Sequence, residues 1–221
     1  MINFFKKKET KLPDFWIDYE NTFTENVIEN IEDVTFVVLD TETTGLDFYT
    51  DRMLCIGALK LHKNVIKINT TFEIFIKQEH YNQETAEIHG ILKNGKTERI
   101  TELEAIKLFL TYLENSIIIA HHAHFDITIF NKALHRNNLP KLKNKVLDTS
   151  TLYKKTLIKS NLLNRKEHYS LDELTEKFNI SKKDRHTALG DAYITAIAFL
   201  KILKKLKEKK KLSVQQLLRL R

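Results

Sequence analysis

The chain has 221 residues, of which 42% are hydrophobic and 29% charged, with 36 basic against 29 acidic side chains and a net charge of +7. That length suits one domain with short extensions, and the composition excludes a largely disordered chain. Two prolines, five glycines and one cysteine exclude a collagen-like or Gly/Pro-rich architecture, an intrachain disulfide framework and a cysteine-rich zinc site. The basic balance favours nucleic acid or another anionic surface as partner. No apolar run reaches the roughly 18 residues that a membrane span needs. The opening MINFFKKKETK has its lysines behind its phenylalanines, the reverse of a secretory signal. A cytoplasmic protein with no membrane partner is expected.

Residues 1–32 read as an N-terminal helical extension. Leu12, Phe15, Trp16 and Tyr19 recur at helical spacing, which predicts a helix packed on the main domain. The main domain spans 33–206. VTFVVLD (34–40) is β-branched and apolar without alternation, as in a central strand covered on both faces. MLCIGALKL (53–61) and VIKINTTFEIFI (65–76) follow as strands around a tight turn at 62–64, giving an antiparallel meander. Cys55 lies in this apolar run and reads as a buried thiol. Then come a helix over 100–116 with Thr101 and Glu104 as capping box, a short buried strand (116–121), and a helix over 125–138 that stops before Pro140. KVLDT (145–149) reads as an edge strand, and 169–180 and 186–206 as helices, the second largely buried. Residues 207–221 form a basic C-terminal tail, whose end, VQQLLRLR, reads as an amphipathic helical end rather than a partner-docking peptide built on Gln216, Leu217 and Leu220. Strands followed by alternating helix and strand indicate an α/β fold with one mixed sheet.

Asp40 and Glu42 end the first strand. Two apart on a strand, they share a face, and paired carboxylates are costly to desolvate unless a cation lies between them. A hard divalent ion such as Mg2+ or Mn2+ is the natural solution. Asp126 opens a helix after the buried strand, and Asp191 lies in the first turns of an apolar helix, five residues after His186. Strand ends and helix starts converge on one edge of such a sheet. Four carboxylates there would hold two cations about 3.5–4 Å apart, which drives in-line attack on phosphodiesters. A neutral histidine beside them would be the general base. His121, His122 and His124 raise a zinc cluster as an alternative, disfavoured because neighbouring residues point in different directions.

LDTETTGLD (39–47) resembles the first motif of the DnaQ-like, or DEDDh, 3′–5′ exonuclease family. AHHAHFD (120–126) is similar to the second motif and HTALGDA (186–192) to the third, in the family's order. DRMLCIGAL, EIHGI, VLDTSTLY and YSLDELTEKFNI add support, so that the resemblance covers roughly residues 34 to 203. It implies a ribonuclease H-like fold with a mixed five-stranded sheet flanked by helices. It also implies two divalent cations, Mg2+ or Mn2+, held by Asp40, Glu42, Asp126 and Asp191, with His186 activating water. Thr43, Thr44, Gly45, His89, His122 and Phe125 would bind substrate. His89 also has a plainer reading, an exposed loop histidine. His122 stands where the family has asparagine, which keeps a hydrogen-bond donor and bears on substrate preference. The implied activity is removal of nucleoside 5′-monophosphates from a nucleic-acid 3′ end, with single-stranded DNA favoured over RNA. The family analogy is proofreading beside a DNA polymerase subunit. RNA trimming, short-oligonucleotide clearance and a non-catalytic nucleic-acid-binding or polymerase-scaffolding module are the alternatives. Lys154, Lys155, Lys159, Arg165 and Lys166 read as residues that track a phosphate backbone. The lysines at 204–211 read as a solvated helix end.

Overall fold

The computed structural model describes residues 11–23, 28–93, 95–157, 166–209 and 211–221. The described residues form a five-stranded sheet in the order β3-β2-β1-β4-β5. Strands β1 (Phe36–Thr43), β2 (Met53–His62) and β3 (Val65–Phe75) make the expected antiparallel meander, while β4 (Ile117–Ala120) and β5 (Val146–Asp148) run parallel to β1. Lys63 and Asn64 both adopt positive φ, 51° and 59°, as a two-residue hairpin turn between right-twisted strands requires. The mixed sheet and its meander agree with the sequence.

Alternation along β1 divides the core into two layers. Val37 and Leu39 face helices α3 (Glu102–Leu113) and α4 (His124–Arg136), in a cluster with Phe109, Ile129 and Phe130. Phe36 and Val38 face α6 (Leu171–Phe178) and the long α7 (Ala188–Lys209), where Phe199 sits 5.3 Å from the Phe36 ring. Both faces of the sheet are therefore covered, which is why β1 reads as a continuous apolar run. Capping boxes at Thr101/Glu104 and Ser170/Glu173 fix the starts of α3 and α6.

Helix α1 (Asp14–Asn21) packs on α3 with Trp16 and Tyr19 buried, and the Tyr19 hydroxyl donates to Asn144 Oδ1 at 2.6 Å. At the other end, Leu212, Val214 and Leu217 are buried in the α7-side cluster, and the Val214 N–H donates to Glu29 O. Helix α8 (Val214–Leu218) therefore presents Leu217 to the core.

Two short helices escape the sequence reading. Helix α2 (Gln83–His89) is capped by Asn82 and α5 (Thr149–Thr156) by Asp148. Asp148 Oδ2 also accepts from the Ala123 N–H, which ties the start of α4 to that of α5. Among the described residues, no helix is long and apolar enough to cross a membrane.

Candidate metal centre at the end of the first strand

The alternation that builds the core also sorts the carboxylates. Asp40 and Glu42 continue the row of Phe36 and Val38, so they face α7. Opposite Asp40 on β2 stands Gly57. A Cβ there would lie 2.2 Å from the backbone of Ala188 and Leu189. This glycine lets the first turn of α7 lie directly on β2, and that turn carries Asp191. Carboxylate oxygens of Asp40, Glu42 and Asp191 consequently lie within 4.8 Å of one another.

Asp126 arrives from the opposite layer. It lies in the first turn of α4, 4% exposed, and its Oδ1 accepts from both the N–H (3.0 Å) and the hydroxyl (2.7 Å) of Thr41. Thr41 belongs to the α4-facing row of β1. The fourth carboxylate thus reaches the strand through Thr41 and stands outside the three-carboxylate group.

The electrostatics follow from this crowding. Burial first, then the Asp126, Asp191 and Glu42 charges, raise the Asp40 carboxyl well above the ordinary aspartate range. Burial and Asp191 push Glu42 up to about 7. Asp126 is raised by burial against the lowering effect of its Thr41 hydrogen bonds. Burial also raises Asp191, opposed by Arg185, whose guanidinium pairs with its Oδ2. The other oxygen, Asp191 Oδ1, is buried and has no hydrogen-bond partner among the described residues. Crowded carboxylates with an orphaned oxygen are the donor set of a hard divalent cation, which would reverse each of these upward shifts. Asp40, Glu42 and Asp191 therefore fit the implied metal.

The turn after β1 is fixed by Asp51, a residue to which the motif resemblance gave no role. Its Oδ1 accepts from the Thr44 hydroxyl at 2.7 Å and its Oδ2 from the Asp47 N–H at 2.8 Å, directly beneath Gly45. The Thr43 hydroxyl donates to Gly45 O. His89, the last residue of α2, is 7% exposed, so its exposed-loop reading gives way to a buried one. Its Nδ1 accepts from the Ile91 N–H at 3.0 Å, and burial lowers its pKa. A cleft of about 530 Å³ opens beside Glu42, between Cys55, Phe75 and His89 on one side and Leu189 and Tyr193 on the other. The Cys55 thiol is free and buried, and burial pushes its pKa up.

His122 takes a left-handed conformation, φ 56°, with its ring 4.3 Å from His121 and 5.8 Å from His168. His121 bonds Thr149 Oγ1 at 2.8 Å, and burial with the neighbouring His122 pushes it down to about 4. His124 lies against Phe48 instead, and Phe125 packs on the same ring. Among the described residues, the carboxylate trio is the group of three or more metal-ligating side chains. His186 is exposed at φ 65°, and its N–H donates to Asp191 Oδ2 at 3.3 Å.

Several of the basic residues are held within the chain. Lys154 donates to Glu167 O, Lys166 pairs with Glu173, Lys205 lies over the Phe178 ring and Lys207 pairs with Glu32. Lys159 and Arg165 lie outside the described residues, as do the side chains of Lys209 and Lys210.

Comparison with known proteins gives this geometry its family. The family model RNase_T, described as an exonuclease, matches residues 37–199. A DNA polymerase III of PolC type from Thermotoga petrophila is 34% identical over 203 residues, 89% of this chain and 14% of its own length. The PolC-type polymerase of Streptococcus mutans is 30% identical over 182 residues, 81% of this chain and 12% of its own. The chain therefore spans about one-seventh or less of the curated relatives it matches. Among solved structures, E. coli Exonuclease I in complex with a dT13 oligonucleotide aligns over 80% of this chain and 42% of its own, with a TM-score of 0.67 at 17% identity. Exonuclease X in complex with 5′ overhanging duplex DNA aligns over 85% and 98%, with a TM-score of 0.61 at 18% identity. These likenesses carry the ribonuclease H-like fold. A family match over most of the chain, on the fold its motifs imply, shows that the chain belongs to the exonuclease family.

Proposed function

We propose that the protein is a divalent-cation-dependent 3′–5′ exonuclease that releases nucleoside 5′-monophosphates from single-stranded DNA. The observation that carries this reading is the convergence of Asp40, Glu42 and Asp191 within 4.8 Å, with an Asp191 oxygen that is buried and that no described residue satisfies. Asp40, Glu42 and Asp191 would hold one cation. Asp126, behind Thr41, would help to hold a second beside Asp40. When bound, the two cations supply charge neutralisation at the scissile phosphate and acidify the attacking water.

The chain's own residues do the rest. His186, at the rim beside Asp191, takes the proton of the water as its oxygen bonds to phosphorus and the P–O3′ bond breaks, the O3′ of the shortened strand taking up a proton from solvent. The Thr43–Gly45 turn, held by Asp51, borders the terminal nucleotide. The cleft between His89, Phe75 and Tyr193 receives its base. His122 and Phe125, at the start of α4, face the sugar-phosphate on the opposite side. The PolC-type relatives make association with a DNA polymerase, in the cytoplasm, the matching context.

A 5′-labelled single-stranded DNA and its RNA counterpart, each with a 3′-blocked control, test the reading in Mg2+, Mn2+ and chelator. A ladder shortening from the free 3′ end of the DNA, lost in chelator and on the blocked strand, is expected. Shortening of the RNA alone would transfer the activity to RNA trimming. No product on either strand would leave a binding module.

A further inference from the structure

Arg185 stands immediately before the third motif, and nothing in the motif resemblance assigns it a role. Its guanidinium joins two helix starts. Nη1 pairs with Oδ2 of Asp191 in α7, while Nε and Nη2 reach Oδ1 and Oδ2 of Asp172 in α6 at 3.2 and 3.4 Å. The Arg185 side chain is 19% exposed and that of Asp191 7%, so this pair is screened far less than a surface ion pair.

Asp191 therefore has two claimants. One is this internal cation, and the other is the divalent ion that Asp40, Glu42 and Asp191 would share. The Arg185 charge reaches the whole cluster: burial raises Asp40 and Glu42, and Arg185 draws both back down. Among the described residues, it is Arg185 that forms the ion pair to this trio. The residues on either side of it, Asp184 and His186, sit at φ 61° and 65°. The place of the guanidinium is set by the two aspartates that it bridges.

Resting on the proposed metal site, we propose that Arg185 is the internal counter-ion of the acidic cluster. It holds Asp191 in position before the divalent cation arrives and yields it when the cation binds. Metal affinity is then the outcome of an exchange. Asp172 retains the guanidinium throughout, which keeps it beside His186, whose Nδ1 lies 3.4 Å from Nη1. Arg185 is on this account a positioning residue that acts through Asp191.

Calorimetric titration of the full chain with Mn2+ alone tests this, using wild type, Arg185→Gln, Arg185→Lys and Asp191→Asn. Each is also melted in chelator. Removing a unit charge beside the ligands should tighten Mn2+ binding about tenfold or more in Arg185→Gln. The same variant should melt lower than wild type in chelator, and Mn2+ should raise its midpoint by more. Arg185→Lys, which keeps the charge but not the fork, should restore both properties in part. A merely structural arginine would lower the midpoint without tightening the metal. Wild-type or weaker Mn2+ affinity in Arg185→Gln overturns the proposal. That failure is distinct from failure of the metal site itself, which would appear as no Mn2+ binding by wild type, or as equal binding by wild type and Asp191→Asn; either result removes both claims.

Discussion

Phe36 and Val38 at the start of β1 and Asp40 and Glu42 at its end face the same side of the sheet, toward α7, yet the two halves carry opposite chemistry. The first half packs Phe36 and Val38 among Leu59, Ile119 and Phe199. Each such side chain contributes about 1.5–3 kcal/mol by leaving water. The second half gathers carboxylates that burial raises in pKa, a state whose desolvation costs several kcal/mol per ion. One strand and one helix serve both. The apolar half packs α7 onto the sheet, while Gly57, opposite Asp40, lets the first turn of α7 bring Asp191 against Asp40 and Glu42. Stability and chemistry should therefore separate along the strand, and substitutions can test where.

Asp40→Ala should have the largest effect, lowering cation-dependent turnover on the order of 10³-fold or more, while the melting midpoint in chelator holds or rises as one crowded charge disappears. Circular dichroism beside the turnover assay separates the two. His186→Ala should lower turnover by roughly two to four orders of magnitude with the fold unchanged. Phe36→Ala sits at the other end of the strand and should reverse the pattern. A loss of about 3–5 kcal/mol in denaturant unfolding is expected, with Mn2+ affinity of the remaining folded protein close to wild type. Near-wild-type stability there would break the division.

Gly57→Ala tests the joint between the halves. Its Cβ would meet the Ala188 and Leu189 backbone at 2.2 Å, so the first turn of α7 must move and take Asp191 with it. A shift of that kind should cost roughly 10–100-fold in turnover, together with about 1–3 kcal/mol or more of stability. The smallest effect is one of pH. Glu42 is raised from 4.5 to about 7, so the folded protein holds more protons than the unfolded chain across that window. Stability in chelator should then fall as pH climbs between about 5 and 7.5, and saturating Mg2+ should remove the slope. A midpoint that rises with pH in chelator would contradict the crowding.

Much of this was legible in the residues. The β-branched, apolar stretch around Phe36–Leu39, without alternation, announced a strand covered on both faces, and the order of elements announced the mixed sheet. Asp40 and Glu42 share a face by strand periodicity alone, and Asp191 stood out as a carboxylate among alanines. What the sequence withheld depends on tertiary approach. Gly57 reads as an ordinary strand glycine until α7 is laid across it. Asp51 orders its turn through hydrogen bonds to Thr44 and Asp47, which no spacing rule announces. The Arg185–Asp191 pair spans the junction of a loop and a helix, where helical spacing does not apply. Helices α2 and α5 are too short for periodicity and show only their Asn82 and Asp148 caps. The lysines at 204–211 hid Leu212, Val214 and Leu217, whose apolar side chains return to the core.

The most direct test of the central claim is the release of nucleoside 5′-monophosphate from single-stranded DNA by wild type and Asp40→Ala, each in Mg2+ and in chelator, with circular dichroism on the same samples. The account predicts release by wild type in Mg2+ alone, and none above background from a fully folded Asp40→Ala. Equal release from the folded variant, or release that persists in chelator, would contradict it.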